Sequence, residues 1–84
     1  MKKVTIYSGD PCPYCKAAKA LLKTKNVEIK EFDIWKDPAK AKEMLQRTNG
    51  ARTIPQIFIG DHYLGGNDQL QEANRSGELD KLLS

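Results

Sequence analysis

Cys12 and Cys15 are the only cysteines in the chain, and they stand three residues apart as Cys12-Pro13-Tyr14-Cys15. On a helical turn, side chains at i and i+3 are neighbours. Two thiols there can close a disulfide with little strain. A bridge of that span closes too small a loop to act as a structural staple. Thiol–disulfide exchange is the chemistry that this spacing suits. At the start of a helix, unpaired N–H groups and the positive end of the dipole stabilise an anion. A thiolate at Cys12 is therefore favoured, with a pKa below the free value of about 8.5. Cys15 lies one turn further in and reads as less exposed. Cys12 is the expected nucleophile and Cys15 the resolving thiol. The alternatives are half a metal site completed by a partner chain, or inert core thiols. Pro11 and Pro13 flank Cys12 and place it in a turn, which disfavours the inert reading.

The elements around the motif follow from pattern. Val4 to Tyr7 alternates and is rich in β-formers, so it reads as a strand. Gly9, Asp10, Pro11 and Pro13 break it. A helix is expected from Pro13 to Lys25, with Ala17, Ala18, Leu21 and Leu22 as its apolar stripe and Asn26 as its stop. Residues 28–34 read as a second strand. Asp37 caps a second helix, Pro38 is its first residue, and Asn49-Gly50 ends it. Its inner face is Ala41, Met44, Leu45 and Thr48. Ile57 to Ile59, Gly60-Asp61 and His62 to Leu64 read as a hairpin. After Gly65-Gly66, Asn67 or Asp68 caps a last helix holding Leu70 and Ala73. Leu79, Leu82 and Leu83 extend it past Gly77. The order β-α-β-α-β-β-α predicts an α/β fold. The first two strands are parallel, the last two antiparallel, and helices cover the mixed four-stranded sheet.

Composition excludes several classes. The chain has 84 residues and a net charge of +3, enough for one domain over residues 1–84. Two cysteines and one histidine are too few for a structural zinc site within one chain, so no metal ligands are assigned. No apolar run reaches about 18 residues, so no membrane span is expected. The N-terminal stretch from Met1 has no signal-peptide pattern, and a cytoplasmic protein is expected. Basic residues are scattered among acidic ones without interleaved aromatics, which argues against nucleic acid. His62 reads as a surface strand residue, and Trp35 as partial core or a rim contact.

Four blocks give the sequence a family resemblance. They are Cys-Pro-Tyr-Cys with the following Lys16 to Leu22, the segment Arg52 to Ile59 around Pro55, Gly65-Gly66 followed by a polar residue and Asp68, and Tyr7 closing the first strand. The chain resembles a dithiol glutaredoxin, a small thioredoxin-fold oxidoreductase. The resemblance implies a glutathione-dependent enzyme that reduces protein disulfides and glutathione mixed disulfides. Glutathione would be its co-substrate, with no tightly bound cofactor. Its partners would be transient disulfide-bonded or glutathionylated proteins, and the chain would act as a monomer. It also implies a cis Ile54–Pro55 peptide whose Ile54 backbone pairs with glutathione. Thr53 belongs to that segment, and Tyr14 would line the groove. Gly66, Asn67 and Asp68 would hold the γ-glutamyl end: the backbone takes its carboxylate, and the Asp68 side chain its ammonium. Arg52, Lys19 or Gln56 would meet the glycyl carboxylate. Gly9 stands where the family often has lysine, and Asp10 follows. Both changes raise the expected Cys12 pKa. Two other readings are a thioredoxin-like donor reduced by a flavoprotein, and a carrier of an iron–sulfur cluster ligated by glutathione and Cys12. Gly-Gly-Asn-Asp and Tyr14 argue against the first, and the stiff Pro13 against the second.

Overall fold

The computed structural model describes residues 2–84; Met1, which opens the N-terminal stretch read above, lies outside them. The described residues form four strands: β1 (Val4–Ser8), β2 (Ile29–Asp33), β3 (Gln56–Ile59) and β4 (His62–Gly65). The helices are α1 (Pro13–Lys23), α2 (Pro38–Arg47), α3 (Asn67–Ser76) and α4 (Glu78–Leu83). The sheet order is β2-β1-β3-β4. β1 runs parallel to β2 and antiparallel to β3, and β3 and β4 form the antiparallel hairpin. The fold class is the one expected from the sequence.

Strand alternation separates two cores. Val4 and Ile6 of β1 and Ile57 and Ile59 of β3 face one way, with Ile6 opposite Ile57. Ala18 and Leu22 of α1, Leu70 and Ala73 of α3, and Leu79 and Leu83 of α4 pack on them. Tyr7 and Phe58 face the other way and pack with Met44 of α2. The sheet is thus a middle layer, with α2 alone on one side.

Several sequence expectations shift. α1 is shorter than expected because its end tightens into i→i+3 bonds. The Thr24 and Lys25 N–H groups donate to Leu21 and Leu22 carbonyls at 3.0 Å, and Asn26 turns left-handed at φ 56°. Ala17 is exposed rather than in the stripe; Cys15, Ala18 and Leu22 form the buried face at three- and four-residue steps. β2 is trimmed to Ile29–Asp33. Gly66, not Asn67 or Asp68, is the N-cap of the third helix. Residues 78–83 are a separate helix, because Gly77 adopts φ 84° and turns the chain between them. Asp37 caps α2 as expected, its carboxylate accepting from the N–H groups of Ala39 and Lys40.

Candidate active site

The ends of all four strands that carry the sequence motifs lie along one edge of the sheet. β1 and β2 run in the same direction and β3 against them. The C-terminal ends of β2, β1 and β4 therefore line up with the N-terminal end of β3. This brings the Cys12 turn, the Pro55 segment and Gly65-Gly66 together although they are far apart in sequence.

Cys12 is the N-cap of α1, with extended backbone at φ −153°. Its carbonyl accepts the first helical bond, from Lys16 N–H at 3.0 Å. Its Sγ accepts from the Cys15 N–H at 3.2 Å. That N–H is one of the donors a helix leaves without an internal partner. The cap is the same arrangement a Ser or Asp would supply, but with sulfur as acceptor. Cys12 and Cys15 are joined as a disulfide, with α-carbons 5.2 Å apart. Cys12 is 7% exposed and Cys15 1%. Cys12 is thus the more accessible of the two. No acidic residue stands in the first turn of α1 to oppose a thiolate.

Beside this turn is a groove of about 670 Å³. Tyr14, Thr53, Ile54, Pro55, Gly66, Asn67 and Asp68 line it, seven of the residues singled out from the sequence. Arg52 is exposed and lies outside its lining. The Ile54–Pro55 peptide is cis, as the resemblance implied, and so is Asp10–Pro11, which was not anticipated. Gly66 comes so close to the Pro55 segment that a Cβ there would lie 3.3 Å from the Pro55 carbonyl oxygen. At Gly65 the backbone has φ 119°, open to glycine only. The Gly66 N–H donates to Gln69 Oε1 at 2.9 Å. Gly66 has no side chain to cap the Asn67 and Asp68 N–H groups, which open α3. They form a donor pair suited to a carboxylate.

Two of the three candidates for the glycyl carboxylate are committed elsewhere. Lys19 Nζ donates to Glu31 Oε2 at 2.7 Å, away from the groove. Gln56 lines the groove but is buried. Its Nε2 donates to the Thr53 carbonyl at 2.9 Å and to Thr53 Oγ1 at 3.1 Å. Its Oε1 accepts from the Tyr63 hydroxyl. Gln56 thus holds the Thr53 turn in place. The sequence marks Tyr63 only as a strand residue, yet it lines the groove and stacks on Phe58 with ring centroids 4.9 Å apart. Strand alternation was the available signal: Tyr63 lies opposite Phe58, on the face that Gln56 shares.

Two polar networks brace this edge. Ser8, buried at the end of β1, donates to Glu31 Oε2 at 2.6 Å, and Lys19 of α1 pairs with the same carboxylate. The Lys19 and Ser8 hydrogen bonds hold the Glu31 carboxyl below its usual range. On the opposite face the buried Tyr7 hydroxyl donates to Glu43 Oε2 and accepts from Arg47 Nη1, the latter at 2.9 Å. Burial, then the Glu43 bond, pushes the Tyr7 pKa up, and the Tyr7 bond pulls the Glu43 carboxyl down. Arg47 also lies over the Phe58 ring at 3.9 Å.

Residues 4–64 match the protein-family model described as Glutaredoxin. The chain belongs to the glutaredoxin family. It is 46% identical over 83 residues to glutaredoxin 3 of Escherichia coli (strain K12), covering 99% of each chain. The solution structure of the Brucella melitensis glutaredoxin superposes with a TM-score of 0.83 at 44% identity, covering 99% of this chain and 89% of that one. A crystal structure of a buckwheat glutaredoxin–glutathione complex superposes with a TM-score of 0.84 at 29% identity, covering 95% and 74%. As a glutaredoxin with a Cys-x-x-Cys pair at a helix start, the chain is a thiol–disulfide oxidoreductase of thioredoxin-like fold.

Proposed function

We propose that this glutaredoxin reduces glutathione mixed disulfides and protein disulfides, with glutathione as the electron source. One observation carries the reading. The groove that begins at Tyr14, two residues from Cys12, unites the Thr53–Pro55 segment with the open N-terminus of α3. Those are complementary partners for a γ-glutamyl tripeptide. The backbone at Ile54 takes a peptide edge, the Asn67 and Asp68 N–H groups take a carboxylate, and the Asp68 carboxylate takes an ammonium. The buckwheat relative crystallised with glutathione supports the same ligand.

The Cys12 thiolate attacks the glutathione sulfur of a mixed disulfide. The Cys12–glutathione bond forms, the target's sulfur leaves as a thiolate, and it takes a proton from water. A second glutathione thiolate attacks at glutathione's own sulfur, and glutathione disulfide departs as Cys12 regains its thiolate. With a protein disulfide, Cys15 attacks the Cys12–target bond and releases the reduced target. Glutathione then reduces the Cys12–Cys15 bridge in two steps. No tightly bound cofactor enters; partners bind transiently to a monomer of one glutaredoxin domain, residues 1–84, in the cytoplasm.

The test is turnover of both substrate types with glutathione and its reductase. Cys15→Ser should keep the mixed-disulfide activity and lose the protein-disulfide activity. Equal loss of both overturns the division of roles. Turnover with thioredoxin reductase in place of glutathione overturns the choice of reductant.

A further inference from the structure

The groove accounts for two of the three large apolar side chains most exposed among the described residues, Tyr14 and Tyr63. The third is Trp35, 56% exposed and outside the groove. A lone exposed apolar residue needs no explanation. Trp35 is different because it is held in one place beside the reactive turn. Gly9 is buried although it carries no side chain. A Cβ at Gly9 would come within 2.6 to 2.8 Å of Trp35 Cδ2, Cε3 and Cε2. The indole therefore lies flat on the Gly9 backbone, three residues before Cys12.

Its base is pinned. The Trp35 and Lys36 N–H groups donate to Asp33 Oδ1 at 2.9 and 3.2 Å. The Ile34 N–H donates to the Ser8 carbonyl at 2.9 Å, tying this turn to the end of β1. Strand order then fixes its side. Across the edge run Trp35 after β2, the Cys12 turn after β1, Pro55 before β3, and Gly66 after β4. Cys12 stands between the indole and the groove.

We propose that Trp35 is the contact for the polypeptide half of a disulfide substrate, taking an apolar side chain next to the target cysteine. The inference rests on the glutathione reading above. Glutathione and the polypeptide are joined through one disulfide and cannot share one groove. With the tripeptide between Tyr14 and Asp68, the polypeptide meets the flank of Cys12 that remains, and the indole is the apolar surface there. Rigid aromatic surface of this kind carries binding at little entropic cost.

The experiment compares kcat/KM for two glutathionylated substrates. One is a short peptide with leucines flanking its cysteine; the other is cysteine–glutathione mixed disulfide, which has no polypeptide. Trp35→Ala should lose about five- to tenfold on the peptide and keep the wild-type value on the small disulfide. Trp35→Phe should retain most of the peptide activity. Replacing the flanking leucines by serine should narrow the difference between wild type and Trp35→Ala. An equal fall on both substrates would mean that the indole only supports the Gly9 turn, and overturns the proposal. No fall on either also overturns it. Wild-type protein that turns over neither substrate overturns the glutathione reading, and this proposal with it.

Discussion

At the N-cap of α1, opposing influences act on one sulfur. The helix N-terminus and the Cys15 N–H, 3.2 Å from Sγ, both favour a thiolate at Cys12. Against them, Gly9 brings no charge and the exposed Asp10 brings a negative one two residues away. Lys16, one turn into the helix, brings a positive charge of its own. The expected outcome is a thiol more acidic than a free cysteine but less so than the most acidic helix-start thiols. In the reduced protein, iodoacetamide alkylation rates against pH should give a Cys12 pKa between about 4.5 and 8. A value below about 4.5 would mean that the helix terminus outweighs the local charges. The place of Cys12 at the helix start is legible from the spacing, because it rests on chemistry local to one turn. The job of Gln56 was not legible. Its amide is spent on Thr53 and Tyr63, and only the folded β3–β4 pairing brings Tyr63 to it. The engagement of Lys19 is hidden for the same reason: its partner Glu31 is supplied by another element.

Among the elements, the third helix is the one whose start matters most to the site. Gly65 at φ 119° aims the chain into α3, and Gln69 folds back to take the Gly66 N–H. A Cβ at position 65 would stand 3.0 Å from Gln69 Cγ and 3.1 Å from its Oε1. Gly65→Ala therefore pairs a disallowed backbone with a displaced Gln69. A stability loss of about 1–3 kcal/mol is expected in urea unfolding, together with a raised KM for glutathione as the α3 donors lose their setting. Unchanged KM would separate this helix start from ligand binding. Where an element is announced by local chemistry, the sequence sufficed. Asp37-Pro38 opens α2 and Gly60-Asp61 turns the hairpin, as read. The cap at Gly66 is not legible in the sequence, because Asn67 and Asp68 are the stronger capping residues by type. Their side chains are instead left to the groove. The break at Gly77 is hidden in the sequence because the leucine pattern runs straight across it.

For the whole molecule, ionisation sets the range of stability. Glu31 and Glu43 have folded pKa values below the ordinary 4.5. Each contributes stability that is present above pH 4.5 and lost as the pH falls through the depressed folded value. Tyr7 is raised above 10.0, so its contribution is present below pH 10 and lost as the pH climbs through its folded value. Thermal midpoints should be level between about pH 5 and 9 and fall on either side. In Glu31→Gln the acid limb should be shallower. An acid limb unchanged in that variant would remove Glu31 from the account. The three-layer arrangement has a further consequence. α2 alone covers its face and buries only Met44 within the helix, whereas α1, α3 and α4 share the opposite core. Local opening follows the poorest burial. Hydrogen exchange should therefore show amide protection lost earlier along α2 than along α1, which packs against the far side of the sheet. The helix that carries the thiols would then belong to the slow-exchanging half of the protein, insulated from the breathing of the other half.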